Sequence, residues 1–380
     1  MFSRGVTAGV LAALTALVPS SCGSNDDHSV PKPSPGAVTT VTLSKSTPSI
    51  VEGKDYAVLF RVPTLLDGAP AIYLARADRR LVMSVAAPGP GAHTGAESDS
   101  GSALATLEEG GKTPKFLAQH GTVKAPRYIV SAVAAGHKIV WVETTQSNME
   151  SMPWQMYSYD LDSGVEKHIA SHEWFKIADP PWPSDRAIQP QVVGNWVYFI
   201  AVDHLDAVKG IRGRSAYRVP IDGGKDPELI VPNAAQIYAD GSQLQAEVNG
   251  KLVGWDPTRG KDGRDTRPAL PGTCGTFVNQ GVRVTCSGTS KKLRVDSPRY
   301  GNFTIDVGGK DTGYFNATNR WVSFSTSAHA YVLDLKRGRL MGLRGAQSTS
   351  TSPFSGNRLE YAKLDNGSHP PLPQIAFLPR

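Results

Sequence analysis

The densest collection of chemically useful side chains in this sequence is one short segment, Ser171–Arg186. It holds Trp174, Phe175 and Trp182 among His172, Glu173, Lys176, Asp179, Asp185 and Arg186, and three prolines stiffen it. An indole face stacks on a sugar ring or fills a peptide pocket, and an Arg or Asp beside it adds directed hydrogen bonds. Trp174, Trp182, Asp185 and Arg186 are therefore the candidate ligand-binding residues. Covalent chemistry finds less support. His168 and His172 would share one face of a helix, but the segment reads as the end of a strand, so their spacing makes no metal pair. Asp203 and Asp206 place two carboxylates on an expected loop and are read as surface charge rather than a Ca²⁺ site. His137 reads as a solvated turn residue. The sequence has no Gly-x-Ser-x-Gly elbow, no His-Glu-x-x-His and no Walker motif. No catalytic residue, metal or cofactor is assigned on this basis, and whether the protein is an enzyme stays open.

Three cysteines are present: Cys22, Cys274 and Cys286. The last two flank Asn279-Gln280-Gly281, a turn signal between two alternating segments. With Gln280 as the centre of symmetry, Val278 faces Val282, Thr276 faces Val284 and Cys274 faces Cys286. Cysteines opposed in this way come within disulfide reach, and the alternative is a pair of buried thiols. Cys22 follows a different pattern. Met1-Phe2-Ser3-Arg4 is a short positive region, Gly5 to Val18 is apolar, and Pro19-Ser20-Ser21 supplies small residues before the cysteine. This describes an export signal over 1–21. A cysteine placed there resembles the bacterial lipobox, which implies lipidation of Cys22 and a protein held at the outer face of the cytoplasmic membrane. A cleaved, secreted protein and an uncleaved anchor are the alternatives. Residues 22–50 begin rich in Ser, Pro, Thr and Asp, without an apolar period, and read as a flexible tether.

The chain of 380 residues has 38 glycines and 28 prolines, an excess that argues for many turns and against a helical bundle. Its formal net charge is +6, which is mild, and no basic-aromatic motif points to nucleic acid. No apolar run is long enough for a polytopic membrane protein.

From residue 51 to 380 the sequence repeats one grammar: a strand, a tight turn, a second strand. The second strands begin near Leu81, Ile139, Val197, Leu244, Val282, Val322 and Leu359, after turns rich in Gly, Asn and Asp. Their mean spacing is about 46 residues, the period of a four-stranded propeller blade. A third strand recurs with an Asp-to-Gly turn at its end, as in Tyr157-Ser158-Tyr159-Asp160-Leu161-Asp162-Ser163-Gly164 and Tyr331-Val332-Leu333-Asp334-Leu335-Lys336-Arg337-Gly338. The last unit lacks a fourth strand, and Tyr56–Val62 precedes the first hairpin with no partner of its own. Joining the two avoids exposed sheet edges. The expected fold is all-β: a seven-bladed β-propeller of four-stranded antiparallel blades, with six or eight blades as alternatives.

The stretch Val219-Pro220-Ile221-Asp222-Gly223-Gly224 and the Tyr-x-x-Asp-x-x-x-Gly turns resemble TolB-like propellers, a group of exported proteins. The Ser-Pro-Asp-Gly signature of that group survives here only as Asp240-Gly241. The resemblance implies an exported scaffold that binds other envelope proteins, and it assigns no catalytic residue.

In a propeller, loops between second and third strands open on the same face as the connections between blades. The long insertions here, Ala87–Gly101, Thr144–Pro153, Asp203–Gly213 and Ser171–Arg186, all belong to those two classes, so they gather above the first three blades. Long loops on a rigid scaffold often carry function. The expected function is non-catalytic binding of an envelope protein or a cell-wall glycan. The alternative is a lyase or glycoside hydrolase with a polar site at the mouth of the central funnel.

Overall fold

A computed structural model describes residues 38–51, 53–54, 56–63, 65–86, 101–122, 124–145, 153–176, 188–206, 211–240, 243–249, 251–255, 264–265, 276–279, 281–287, 292–310, 312–326, 329–343, 346–349, 359–363 and 374–379. The signal segment 1–21 and Cys22 lie outside these. Pro33–Arg380 is one compact unit.

The described strands assemble into seven sheets, numbered here in chain order. Sheet 1 is built on Ala69–Ala77, Arg80–Ala86, Ser102–Glu108 and Lys115–Ala118. Sheet 2 comprises Tyr128–Ala135, Lys138–Thr144, Trp154–Asp160 and Glu166–Ser171, and sheet 3 comprises Gln191–Val193, Trp196–Asp206, Ile211–Pro220 and Glu228–Val231. Sheet 4 runs from Ala234–Asp240 to Arg264–Asp265, sheet 5 from Thr276–Asn279 to Gly301–Asp306, and sheet 6 from Thr312–Ala317 to Arg339–Leu343. Sheet 7 joins the two ends of the unit. Its strands Ala346–Thr349, Leu359–Lys363 and Gln374–Pro379 are completed by Tyr56–Arg61, with Ala57 opposite Leu378 and Val58 opposite Phe377. The expected closing strand is thus in place. The first strand of each sheet touches the first strand of the next from sheet 1 through sheet 7, and the fold is a β-propeller.

Local chemistry explains the hairpins. Ala77 pairs with Arg80, Ala135 with Lys138 and Val193 with Trp196, so each turn has two central residues. Such turns match the twist of the strands and need positive φ, which Asp78, Gly136 and Gly194 adopt. The Asp at the end of the third strand has a structural task. Asp160 Oδ1 accepts the backbone N–H groups of Asp162 and Ser163 at 3.0 Å each, and Asp334 Oδ1 accepts that of Lys336 at 3.0 Å. The residue just after the third strand bonds back to the preceding hairpin turn in three sheets: Leu161 to the His137 carbonyl, Ile221 to that of Asn195, Leu335 to that of Arg320, each at 2.9 Å.

The core is a series of layers between neighbouring sheets. In Lys138–Thr144, Ile139 and Trp141 pack toward sheet 1, and Val140 and Val142 toward sheet 3. Covering both faces is why these runs are apolar throughout rather than alternating.

Three expectations are corrected. The hairpin at Gln280 turns on two residues, Gln280-Gly281, because Asn279 pairs with Val282 and Phe277 with Val284. This moves the register by one place, so Val278 faces Arg283 and Thr276 faces Thr285, not Val282 and Val284 as expected from a centre at Gln280. Cys274 lies outside the described residues, and Cys286 is buried. The expected loop Asp203–Gly213 is largely strand: His204 pairs with Gly213 and Asp206 with Ile211 past a bulge. The expected tether also ends early. Val38–Thr42 lies parallel to the outer strand of sheet 5, and Ser49–Ile50 parallel to that of sheet 6. Leu43 and Ile50 are buried there, which pays for ordering a polar segment.

Candidate functional site

The candidate face is anchored by aromatic packing between sheets 2 and 3. Trp154 is buried at the start of the third strand of sheet 2. Its ring meets Phe199 edge-on at 5.6 Å and Phe175 at 6.1 Å, and Phe175 meets Tyr217 at 4.7 Å. Phe175 belongs to a single 3-10 turn, His172–Phe175, which leaves sheet 2 toward sheet 3. His172 Nδ1 donates to the Trp154 carbonyl at 3.0 Å and fastens the turn. Tyr217 donates its hydroxyl proton to Asp203 Oδ2 at 2.9 Å. Burial first, and then the Asp203 carboxylate, push the Tyr217 hydroxyl above its ordinary value, so the pair is a fixed brace.

Anchoring Phe175 turns its neighbour outward. Trp174 is 37% exposed, with its ring 6.3 Å from that of His168. Burial lowers His168 from its ordinary value, with the positive charge of Arg127 adding to the effect. His168 in turn meets Tyr157 at 5.2 Å, and Tyr157 stacks on the fully buried Trp141 at 5.4 Å. Four rings thus step outward from the core to Trp174. Of the four residues singled out from the sequence, Trp174 stands at the surface as expected. Trp182, Asp185 and Arg186 lie outside the described residues. His168 and His172 take different roles, one stacked on rings and one bonded to backbone.

The sequence did not single out a second group on sheet 2. Glu143 is 1% exposed, and one of its oxygens accepts the Trp141 Nε1–H at 2.8 Å. His120, just after the last strand of sheet 1, places Nδ1 2.9 Å from both Glu143 oxygens and Nε2 2.8 Å from Glu166 Oε1. Its ring lies 4.3 Å from that of Tyr157. Burial, with the Glu143 charge next, pushes the Tyr157 hydroxyl up to about 12. The only sequence signal was a Glu inside the apolar run Ile139–Val142 and its continuation, where a charge needs a partner.

At the opposite end of sheets 2 and 3, a pocket of about 160 Å³ is lined by Lys138, Ser158, Asp160, Lys167 and Asp222. Lys138 Nζ is 2.7 Å from Asp222 Oδ1 and Lys167 Nζ is 3.7 Å away. The hydrogen bond from Lys138 holds the Asp222 carboxyl below its ordinary value. These charges satisfy one another. Nearby, His137, Asp160 and Asp162 bring ligand-type atoms within 4.8 Å of one another, but Asp160 already caps its own turn.

Sheets 4 and 5 meet differently. Leu244 and Ala246 pack on sheet 3, so Gln245 and Glu247 point toward sheet 5. Val282 and Val284 pack on sheet 6, so Arg283 and Thr285 point toward sheet 4. Gln245 Oε1, Arg283 Nε and Thr285 Oγ1 are buried and find no hydrogen-bond partner among the described residues.

No protein-family model matches this chain, and no curated protein matches it. Solved structures do. A puromycin hydrolase mutant complexed with PGG matches with 13% identity over 85% of this chain and 53% of that one, at a TM-score of 0.50. An acylaminoacyl peptidase matches with 11% identity over 78% of this chain and 49% of that one, also at 0.50. TolB from Acinetobacter baumannii matches with 16% identity over 83% and 66%, at 0.41. The chain spans about half the length of the first two. At such identities the likeness of the first two is one of fold alone, and the sheets themselves define the class, a β-propeller.

Proposed function

We propose that this β-propeller is a binding module, held outside the bacterial cell by a lipid on Cys22, that takes an envelope protein or a cell-wall glycan without transforming it. The observation that carries this reading is Trp174, exposed on a turn whose neighbours Phe175 and His172 are both fastened. A large ring held rigidly at a surface loses little entropy on binding, which is what a contact residue requires. The described histidine–carboxylate group supports binding rather than chemistry, because both nitrogens of His120 are already engaged with carboxylates. We take the seven sheets as seven blades, and we read Cys274 and Cys286 as a disulfide across the ends of their hairpin, on the burial of Cys286 and the export signal.

Two measurements test this. Purified cell-wall glycan should sediment the full-length protein, and a photo-crosslinker at position 174 should label a defined envelope protein if the ligand is a protein instead. Absence of both, or turnover of a glycan substrate, would overturn the reading. Cys22→Ser should abolish incorporation of a fatty-acid label into the protein. Labelling that survives the substitution would refute the lipid on Cys22.

A further inference from the structure

We propose that His120 is a pH-sensitive latch: as a protonated imidazole it fastens the connection between sheets 1 and 2 to the face of sheet 2, and it lets go as the pH rises.

The geometry suits the cation. A neutral imidazole carries one N–H and one lone pair. Here Nδ1 meets Glu143 at 2.9 Å and Nε2 meets Glu166 at 2.8 Å, so a neutral ring would aim its lone pair at a carboxylate. With both nitrogens protonated, each makes a charge-assisted hydrogen bond. The two carboxylates differ in exposure, 1% for Glu143 and 31% for Glu166. Once His120 loses its proton, Glu143 keeps only the neutral Trp141 N–H, and a buried charge with one neutral donor is costly.

Among the described residues, the groups facing His120 are few. The second strand of sheet 2 contributes Glu143, the third strand Tyr157, and the fourth strand Glu166 and His168. The connection itself contributes Arg127, whose positive charge is felt at both Tyr157 and His168. The Glu143 hydrogen bond, with the charges of Glu143 and Glu166, raises His120 above its ordinary value despite its burial. The sign follows from linkage. While both carboxylates are ionised, the latch's contribution is full below the unfolded histidine value of about 6.5 and is lost as the pH rises through the higher folded value.

What the latch holds is the stretch that leads from the outer strand of sheet 1 to the inner strand of sheet 2. Its far end is tied at Arg127, whose carbonyl accepts the Ser102 N–H at 2.7 Å, while Ser102 Oγ accepts the Ile129 N–H at 2.8 Å. Gly101 sits against this tie. A Cβ there would lie 1.8 Å from the Arg127 carbonyl oxygen, so the close approach demands glycine. His120 adds a titratable fastening to a segment whose far end is held by the Arg127 carbonyl and the Ser102 hydroxyl.

Histidine NMR on the full chain tests the proposal directly. His120 should titrate above about 6.5, and Glu143→Gln should bring its midpoint down by about one pH unit or more. Hydrogen exchange in residues 119–127, corrected for intrinsic rates, should quicken by about tenfold once the pH exceeds that midpoint. In His120→Gln the corrected rate should not change with pH. If Glu143→Gln does not fold, Glu166→Gln, altered at the more exposed partner, should lower the midpoint in the same direction. A His120 midpoint at or below the free value, or one that neither substitution lowers, would overturn the latch.

Discussion

Between sheets 1 and 2 the molecule buries a carboxylate and an indole N–H beside a half-buried imidazole, and each meets a partner at 2.8 to 2.9 Å. Between sheets 4 and 5 it buries an amide oxygen, a guanidinium nitrogen and a hydroxyl that meet none among the described residues. Both layers depart from the apolar packing seen where Val140 and Val142 meet Val197 and Phe199, or where Val284 meets Phe324. The difference lies in closure. A polar network in a low-dielectric layer stiffens a structure when every member is satisfied and weakens it when members are not. The layer between sheets 1 and 2 is therefore expected to hold its register, and the layer between sheets 4 and 5 to open more readily. Sheet 5 also differs at its outer edge, where Val38–Thr42 adds a parallel strand.

The sharpest way to break this comparison is to remove Glu143. Glu143→Ala leaves His120 and the Trp141 N–H facing a void, and should cost about 3–5 kcal/mol of unfolding free energy, as loss of one partner from a buried pair does. Denaturant titration at neutral pH measures it, and a loss under about 1 kcal/mol would put this network on a par with an exposed ion pair. Next comes the added strand. Leu43 is 7% exposed and belongs to the layer between sheets 5 and 6, so Leu43→Ala should destabilise by about 2–5 kcal/mol. If the N-terminal segment is merely draped on the ring, that substitution will leave the midpoint where it was. A smaller effect of opposite sign is expected between sheets 4 and 5. Thr285→Val exchanges a buried hydroxyl that has no partner among the described residues for a methyl, and should be neutral or stabilising by about 1 kcal/mol. A clear loss of stability there would mean that Thr285 has a partner in solution. The smallest stability change belongs to Trp174→Ala, within about 0.5 kcal/mol for an exposed side chain, together with weakened ligand capture. A large fall in the melting temperature would recast Trp174 as packing rather than contact.

Much of the ring was legible before any coordinates. All seven second strands begin within about two residues of their expected starts, because a two-residue turn is specified by the residues within it. Tyr56–Arg61 and Gln374–Pro379 were joined correctly because an unpaired strand at each end of a repeat has one economical solution. The candidate site was legible only in part. An exposed tryptophan in a Pro-rich insertion announced Trp174, but nothing nearby announced His120, whose partners lie on three strands that follow it by many residues. The Gln280 hairpin failed for a smaller reason. Alternation around Asn279-Gln280-Gly281 fits a turn of two or three residues almost equally well, and the choice shifts every cross-strand pair.

The amino-acid order alone determined the hairpins, the Asp-capped turns and the all-β class, since these rest on contacts between residues close in the chain, where sterics and short hydrogen bonds act without outside help. Only the tertiary structure decided which face of each strand meets which sheet. That decision made the Glu143 carboxylate a partner of His120, left Thr285 without one among the described residues, and turned Trp174 outward while Phe175 went in. Such outcomes depend on desolvation by neighbours distant in sequence, and the cost of burying a charge or a hydroxyl is set by what stands opposite it.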